Sequence, residues 1–417
     1  MRNVYIIGVG MTRFAKHLDQ TEKDLTAVAV ERTLKDAGLS ISEIQSVVFS
    51  NSMWGYFTHQ HCIKGQVALR PLGISGIPIT NVENACASGS TALHTAWLQV
   101  ASEQCDCALA VGVEKLFNED KVKTFQAFGA GVDVSGISEH FAEIQHVLDN
   151  LNLEIPQDQD NPEGAGSNRS TFMDMYAAGC RWHMDRYGTT QHQLAVIASK
   201  SHFHSSMNQY AQFRKQMSVE EVLAARSVTY PFTVPMCAPV GDGGAAVIIC
   251  SEDYLRKLTA ARPVKIRASV LGSGSDRPID QEELDISTLL SQKAYEVAAV
   301  GPGDIDTAEV HDATTYGELH QTEALGFCPL GQGGIFAESG ATQLGGNIPI
   351  NTSGGLVSRG HPVGASGLGQ IFEIVTQLRH EAGDRQVEGC RLALAENGGG
   401  NMGFEEAAMG IHILERI

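Results

Sequence analysis

The amino-acid sequence predicts an α/β protein built from two copies of one structural unit. Short apolar runs typical of buried strands alternate with helical periodicity along the 417 residues, a pattern that favours largely buried sheets. The second observation is internal similarity, because Cys86-Ala-Ser-Gly89 and Gly364-Ala-Ser-Gly367 each precede a helix and then an apolar strand. Duplication of one unit would bring these two turns to facing positions between the halves.

The first copy is predicted to comprise residues 1–117 and 216–261. Apolar residues at roughly helical spacing indicate its helices, and short continuous apolar runs indicate its strands. Its predicted elements follow in chain order: a strand at 4–9, a turn at Gly10, a helix at 22–37, strands at 46–50 and 77–84, a helix at 89–101, and strands at 108–113 and 243–250.

Residues 118–215 are predicted to form a loop domain inserted into the first copy. Eight acidic residues and no Lys or Arg lie between Asp133 and Glu163, which is typical of a solvated surface. Residues 171–220 instead carry five Lys and Arg, four His and a helical pattern.

The second copy is predicted to comprise residues 262–417. Strands are predicted at 264–271, 307–310, 392–395 and 407–414. The last of these, AAMGIHIL, resembles the strand GGAAVIIC at 243–250 that closes the first copy.

Composition excludes several classes of function. Thirty Lys and Arg against 48 Asp and Glu give a net charge of −18, which disfavours binding to nucleic acid or to anionic membrane surfaces. The sequence has no apolar run of 18 residues, and its start does not match a signal peptide. Nine cysteines without a CxxC pair predict a reducing, cytoplasmic location. No dinucleotide-binding or metal-ligand motif is present, so no metal is predicted.

The first candidate for chemistry is Cys86, which stands between a predicted strand and a predicted helix. Unpaired N–H groups and the dipole at a helix N-terminus favour a thiolate, and Gly89 allows close approach of a ligand. The alternative is an inert buried thiol, since the chain has nine cysteines.

Two histidines are candidates for acid–base chemistry. His361 lies in a Gly-Pro turn before a helix, and the duplication directs it towards Cys86, whose proton a neutral imidazole would accept. His311 follows a short strand, at the sheet end where α/β ligand sites form, and Asp312 or Glu318 would orient it. The alternative for His361 is a structural histidine in a Gly-rich turn, and the alternative for His311 is a surface histidine.

The segment Glu396-Asn397-Gly398-Gly399-Gly400 follows a predicted strand. Its three glycines are interpreted either as a flexible turn or as exposed N–H donors for an oxyanion.

Together these motifs resemble the thiolase family over nearly the whole chain. The matching segments are NACASG (84–89), VGVEK (111–115), HDA (311–313), GHPVGASG (360–367) and NGGG (397–400). Three further segments resemble the sterol-carrier-type branch: YGTT (187–190), NQYAQFR (208–214) and PVGDGGAAV (239–247). The resemblance implies a five-layered αβαβα thiolase fold, a tight homodimer, and thioester chemistry with coenzyme A (CoA) as co-substrate and no resident cofactor.

The resemblance also implies roles for individual residues. Cys86 would be the acyl-accepting nucleophile and His361 its activator, while His311 would bind the thioester or enolate oxygen. The amides of Cys86 and Gly399 would form the oxyanion hole.

The chain departs from the family at the second cysteine, which carries the enolate proton in degradative thiolases. Ala313 stands where the sterol-carrier-type branch has this cysteine, and Glu396 or Asn397 stands at the other usual position. Either one of these two residues or a histidine would carry the proton, or the chemistry of the enzyme has shifted.

Three functions are compatible with the sequence. The first is CoA-dependent cleavage of a 3-oxoacyl-CoA, or the reverse Claisen condensation, on a branched or aromatic acyl chain. The second is a condensing enzyme or carbon–carbon lyase on the same fold. The third is an acyl-CoA-binding subunit without catalysis.

Binding partners are predicted from charge and from the resemblance. A protein of charge −18 needs local positive charge to hold the CoA phosphates, and the candidates are Arg181, Arg186, Arg214 and Lys215. Only 19% charged residues together with 44 Gly predict a buried self-interface and a homodimer. The resemblance alone implies a small OB-fold and zinc-ribbon partner protein.

Overall fold

A computed structural model describes residues 2–156, 166, 168–259 and 261–417. Three members of the predicted acidic surface, Asp158, Asp160 and Glu163, lie outside these described residues. The strands are β1 (Val4–Met11), β2 (Ser46–Ser50), β3 (Ile79–Val82), β4 (Cys107–Glu114), β5 (Ser227–Thr229), β6 (Phe232–Thr233), β7 (Gly243–Ser251), β8 (Val264–Ser273), β9 (Thr307–Glu309), β10 (Leu392–Gly399) and β11 (Ala408–Arg416).

Helices separate most of these strands. They are α1 (Glu22–Ala37), α2 (Trp54–Thr58), α3 (Lys64–Leu69), α4 (Ser88–Ala101), α5 (Lys121–Phe128), α6 (Ile137–Asp149), α7 (Thr171–Tyr187), α8 (Gln191–Ser206), α9 (Val219–Leu223), α10 (Glu252–Leu255), α11 (Ile286–Ala298), α12 (Thr315–Ala324), α13 (Gly333–Glu338) and α14 (Ser366–Leu378). Single 3₁₀ turns occur at Ile41–Glu43, Arg70–Leu72, Gly129–Gly131, Val234–Met236, Glu282–Leu284, Pro302–Asp304, Val363–Ala365 and Gly383–Arg385, and a π-helical turn occurs at Gly355–Arg359. No helix in the described part of the chain is both long enough and apolar enough to cross a membrane.

The order of the strands confirms the predicted duplication. In the described chain a nine-stranded sheet runs β3-β2-β4-β7-β1-β8-β11-β10-β9. Read outwards from the centre, β1-β7-β4-β2 of the first copy corresponds to β8-β11-β10-β9 of the second, with the same antiparallel and parallel pairings. The parallel strand β3 that follows β2 has its counterpart in the parallel bridge between Ala308 and Ile350.

The buried side chains form the five layers of the predicted αβαβα fold. One apolar cluster places α4 and α14 between strands of both copies. A second cluster joins α1 to the outer face of the first copy's strands, and a third joins α11 to the outer face of the second copy's strands. In β7, for example, Val247 faces the central helices and Ile248 faces α1, because alternate residues of a strand point to opposite faces.

The two central helices touch at their first turns. A Cβ atom at Gly89 of α4 would lie 3.0 Å from the Gly367 nitrogen, and one at Gly367 of α14 would lie 2.5 Å from the Ser90 nitrogen. Side chains at these positions would therefore separate the helices. The expectation that the two Ala-Ser-Gly turns face each other is confirmed.

Two local predictions are wrong. The predicted turn at Gly10 lies within β1, where Gly10 pairs with Ala246 of β7. Similarly, the predicted glycine turn after β10 begins later than expected, since Gly398 and Gly399 pair with Met409 and Ala408 of β11. In both cases a neighbouring strand supplies hydrogen bonds that hold glycines extended, and local sequence does not reveal such pairing.

Between Glu114 and Gly243 the chain leaves the sheet and forms α5 to α9 with the short hairpin β5–β6. This excursion is attached to the second copy by a buried ion pair between Lys200 and Glu318, and Lys200 Nζ also donates to the Ile350 carbonyl at 2.9 Å. The predicted domain bounds at 118 and 215 lie inside this excursion and stay a prediction.

Candidate active site

Cys86 lies in a tight loop between β3 and α4. The preceding residue, Ala85, has φ +47°, a left-handed conformation that costs free energy for a residue with a side chain and is common at functional sites. The loop is held by hydrogen bonds to the Ala85 carbonyl from Ser52 Oγ (3.1 Å) and Ser88 Oγ (2.6 Å). Surrounding side chains therefore fix the position of the Cys86 thiol.

His361 is in direct contact with this thiol. Its Nε2 lies 3.2 Å from Cys86 Sγ, and its Nδ1 lies 2.7 Å from Ser366 Oγ. Ser366 Oγ also donates to the Pro362 carbonyl at 3.1 Å, so the hydroxyl has only acceptor capacity left for the imidazole. Nδ1 must then carry the ring proton, and Nε2 is free to accept the proton of Cys86.

His311 completes the group from the loop after β9. Its ring centroid lies 5.3 Å from that of His361, and its Nδ1 accepts a hydrogen bond from Asn397 Nδ2 at 3.1 Å. An amide nitrogen can only donate, so His311 carries its proton on Nε2. His311 therefore presents an N–H donor rather than a base.

The predicted orienting residues of His311 act elsewhere. Asp312 Oδ1 accepts from the Leu356 amide at 2.6 Å, and Glu318 accepts from Asn351 Nδ2 at 2.9 Å. Both carboxylates connect neighbouring loops and do not contact the imidazole. Asn397 orients the ring instead, through a contact that local sequence could not indicate.

The pKa of the Cys86 thiol is shifted in the direction opposite to the one predicted from its place at a helix N-terminus. Burial, reinforced by Glu114, raises the pKa of the Cys86 thiol to about 12, although the amides of Gly400 and Cys86 act in the opposite direction. Burial also holds the pKa of His361 well below its usual value. Desolvation thus outweighs the helix N-terminus, and the resting pair is a neutral thiol beside a neutral imidazole.

Burial likewise lowers the pKa of His311 to about 4. The reactive atoms of Cys86, His311 and His361 lie within 4.8 Å of one another, a spacing that would also suit a small metal ion. The Cys86–His361 distance is that of a hydrogen bond to sulfur, and the contacts with Ser366 and Asn397 explain the tautomer of each histidine.

The glycine segment, residues 396–400, lies against the loop that carries Cys86. A Cβ atom at Gly399 would lie 2.3 Å from the Ala87 nitrogen and 2.4 Å from the Asn84 carbonyl oxygen, so only glycine permits this approach. The amide that interacts with the Cys86 sulfur belongs to the next residue, Gly400, which has φ +68°. The sequence predicts Gly399 for the oxyanion hole and gives no indication for Gly400.

Glu396 and Asn397, the two candidates for proton transfer, lie behind the histidines. Glu396 Oε2 accepts from the His311 amide at 2.8 Å, and burial raises the pKa of its carboxyl group to about 8. The Asn397 side chain is fully buried between His311 and α14. Neither residue lines the cavity that contains Cys86.

That cavity has a volume of about 240 Å³ and extends outwards from the three catalytic candidates. Its inner end is formed by loops of the duplicated core, including Ala313 and the glycine segment. Its walls come from the excursion between β4 and β7 and are mainly apolar: Phe125, Phe128, Phe172, Met173, Tyr176, Phe213, Val228, Val234, Cys237, Ala238, Pro239 and Val240.

The four predicted phosphate-binding residues lie outside the cavity lining. Arg181 Nε donates to the Tyr230 carbonyl at 2.8 Å, and Arg186, Arg214 and Lys215 are exposed. Arg214 and Lys215 directly follow Phe213, which lines the cavity.

Two cations that sequence analysis did not select do line the cavity, Arg169 and Arg226. Arg169 is paired with Asp174 at 2.7 Å, whereas Arg226 is exposed. The signal for Arg226, a lone arginine before a short strand, is too weak to be found without the fold.

Glu114 of the VGVEK segment connects the two copies at the site. Its carboxylate accepts from the amides of Met53 (2.9 Å) and Gly364 (3.0 Å). It thereby links the first copy to the loop that carries His361.

Comparison with known proteins identifies relatives over the whole chain. Residues 4–253 match the family model of the thiolase N-terminal domain, and residues 286–415 match that of a thiolase C-terminal domain-like unit. An acetyl-CoA acetyltransferase of Methanothermobacter thermautotrophicus is 36% identical, with all of both chains covered.

Two further relatives are similar over most of their length. Sterol carrier protein 2 of Bos taurus is 35% identical over 98% of this chain and 74% of that protein. The benzoylsuccinyl-CoA thiolase subunit BbsB of Thauera aromatica is 33% identical over 96% of this chain and 95% of that protein. Among solved structures, the Ltp2-ChsH2(DUF35) aldolase aligns with a TM-score of 0.76 at 24% identity, covering 99% of this chain and 98% of that one, which supports the fold.

Proposed function

This chain belongs to the thiolase family, and on that premise we propose that it catalyses the CoA-dependent cleavage of a 3-oxoacyl-CoA, or the reverse condensation, through an acyl group on Cys86. The observation that carries the proposal is the 3.2 Å contact between Cys86 Sγ and His361 Nε2, with the imidazole tautomer fixed by Ser366. A thiol in hydrogen-bond contact with a positioned base is the arrangement that covalent acyl transfer requires.

In the first half of the proposed reaction, Cys86 attacks the substrate and the C2–C3 bond breaks. His361 Nε2 accepts the Cys86 proton as the sulfur attacks the C3 ketone, so that charge separates only when substrate is bound. The developing oxyanion at C3 is received by the amides of Cys86 and of the glycine segment, Gly399 or Gly400. His311 Nε2–H donates to the thioester oxygen, where the enolate charge accumulates as the C2–C3 bond breaks.

The second half of the reaction uses the same groups. A CoA thiol gives up its proton, which replaces the proton that C2 of the departing enolate takes up. Its sulfur attacks the carbonyl of acyl-Cys86, and the amides again hold the oxyanion. Cys86 leaves as a thiolate and recovers its proton from His361. Because the acyl group is held covalently between the two halves, the kinetics are of the ping-pong type.

The apolar lining and the volume of the cavity are evidence for a bulky apolar acyl chain. Four phenylalanines line the space beyond Cys86: Phe125, Phe128, Phe172 and Phe213. A cavity of about 150 Å³ is enough to hold benzene, so about 240 Å³ leaves room for a ring and the adjoining carbonyl carbons. We therefore propose a branched or aromatic acyl group as the substrate class.

The proposal is tested by incubating the purified chain with a 3-oxoacyl-CoA and free CoA. We expect two shorter thioesters, with kcat/KM for 3-oxo-3-phenylpropionyl-CoA at least about 10-fold above that for acetoacetyl-CoA. A carbon–carbon lyase would release the acyl fragment without transferring it to CoA, and a binding subunit would release nothing. Either result would contradict the proposal.

The phosphates of CoA are proposed to bind at the cavity mouth, near the basic residues that follow Phe213. Arg214 and Lys215 are exposed there. Lys215 Nζ lies 3.7 Å from Glu221 Oε1 in an exposed ion pair. Arg181 and Arg186 on α7 are proposed to contribute to the same positive region, which a protein of net charge −18 needs in order to hold a polyanion.

Replacing Arg181, Arg186, Arg214 or Lys215 singly by Ala is expected to raise KM for CoA and to weaken its salt dependence, with kcat nearly unchanged. Initial rates at several ionic strengths measure this. Arg256→Ala, an exposed arginine paired with Glu252, is the control and should leave KM unaltered. Unaltered KM in all four variants would refute this location.

A homodimer is proposed from the edge of the sheet next to the nucleophile. The residues of the edge strand β3 are themselves half-buried or exposed. The strand leads directly into the Cys86 loop, and unpaired edges are normally covered. We expect light scattering to give twice the chain mass of 44.7 kDa, with an interface of well over about 2,000 Å². A monodisperse monomer would remove this proposal.

A small OB-fold and zinc-ribbon protein is proposed as a second partner. The name of the Ltp2-ChsH2(DUF35) aldolase refers to two proteins, and the relative from Thauera aromatica is named as a subunit. Full activity of the isolated chain on its natural substrate would show that no such partner is needed. A cytoplasmic location is also proposed, supported by nine unpaired cysteines.

A further inference from the structure

Breaking the C2–C3 bond leaves an enolate that must receive a proton at C2, and Ala313 offers none. Besides Cys86 and the two histidines, three described residues of the cavity lining carry an O–H or S–H proton: Ser170, Tyr176 and Cys237. The proton donor is therefore sought among these three side chains.

Two of the three are engaged elsewhere. Ser170 is the N-cap of α7, where its Oγ accepts from the Phe172 amide at 3.3 Å. The Cys237 side chain contacts the apolar cluster beneath α8. Both side chains therefore help to build the cavity wall, and each keeps its own proton.

Tyr176 differs from Ser170 and Cys237 in the surroundings of its hydroxyl group. It is on α7, about one turn beyond Phe172, and its side chain lines both the catalytic cavity and a second cavity behind it. Its hydroxyl makes no hydrogen bond to any described residue, and its oxygen is not among the fully occluded polar atoms. A phenol on a side chain that lines this cavity, with no hydrogen-bond partner among the described residues, is available to a reacting molecule.

We propose that the Tyr176 hydroxyl is the catalytic acid that protonates C2 of the enolate, in place of the second cysteine of degradative thiolases. The proposal rests on the proposed cleavage reaction and adds a residue to it.

The surroundings of Tyr176 favour this role. Burial, followed by the negative charge of Glu406, raises the pKa of the phenol well above its usual value. The hydroxyl therefore keeps its proton at neutral pH until a strong base such as an enolate forms. It is too weak an acid to protonate the neutral substrate early.

The protons balance over a complete cycle. Cys86 gives its proton to His361, the C2–C3 electron pair passes to C2, and C2 takes the proton of Tyr176 to give the shortened thioester and a phenolate. The phenolate then accepts the proton of the incoming CoA thiol, whose sulfur attacks acyl-Cys86. Cys86 recovers its proton from His361, so each group returns to its starting state.

The experiment compares two reactions of Tyr176→Phe, which removes only the oxygen atom. One is cleavage of a 3-oxoacyl-CoA, which needs a proton on carbon. The other is exchange of labelled CoA into a saturated acyl-CoA, which uses Cys86 and His361 but has a sulfur leaving group that needs no acid. We expect kcat for cleavage to fall by about 10²-fold or more and exchange to stay within about threefold.

Tyr316→Phe is the matched control, because Tyr316 is a tyrosine that lines the second cavity and not the catalytic one. Its cleavage rate should be unaltered. Unchanged cleavage in Tyr176→Phe, equal loss of both reactions, or loss confined to Cys237→Ala would each overturn the assignment of Tyr176. A native chain that exchanges CoA but cleaves nothing would overturn the proposed function, and this inference with it.

Discussion

Replacing Cys86 by Ala or Ser is expected to lower kcat/KM for cleavage by about 10³-fold or more. Alanine removes the atom that forms the covalent bond, and a serine hydroxyl at this position is a far weaker nucleophile than a thiol. Mass spectrometry of the native chain after incubation with an acyl-CoA should show the acyl mass on the peptide that contains Cys86.

Cys62→Ala provides the control for this prediction, because Cys62 is exposed and lies outside the cavity lining. Its activity should equal that of the native chain. An acyl adduct on Cys237 or Cys390, combined with retained activity in Cys86→Ala, would contradict the assignment of the nucleophile.

His361→Ala is expected to slow both catalysis and the alkylation of Cys86. Because burial raises the pKa of the thiol to about 12, almost no thiolate is present between pH 6 and 9 unless a neighbouring base accepts the proton. His361 is the base within reach at 3.2 Å. The loss in cleavage should be about 10²–10⁴-fold, the usual range for a general base.

The rate of alkylation by iodoacetamide, measured across pH 6–9, tests this directly. In the variant the rate should rise steeply with pH, since only free hydroxide remains to remove the proton. His192→Ala, at an exposed histidine, is the control. Equal rates in His361→Ala and the native chain over the whole range would exclude His361 as the activator.

Sequence predicted most accurately those features that depend on local signals. Helix α1 was predicted at 22–37 and begins and ends there, because Thr21 caps its first turn and Gly38 adopts φ +67° at its end. The meeting of Cys86 and His361 was also predictable, since duplication places two equivalent turns at the same seam.

Features that depend on distant parts of the chain were not predictable. The helix N-terminus suggested a thiolate at Cys86, but burial by segments far away in sequence reverses the pKa shift. The tautomer of His311 depends on Asn397, 86 residues later in the chain. The cavity walls lie in the excursion between β4 and β7, where sequence indicated only charge and helical periodicity.

The cavity is built from two different parts of the chain, and this has an evolutionary consequence. Cys86, His311 and His361 belong to the duplicated core, whereas most of the cavity wall, including Tyr176, belongs to the excursion between β4 and β7. Substitutions in the walls can change substrate range while the contact between Cys86 and His361 stays intact. A lineage with this architecture can vary the wall positions other than Tyr176 without passing through inactive ancestors, since these positions and the Cys86–His361 pair are encoded in separate stretches of one gene.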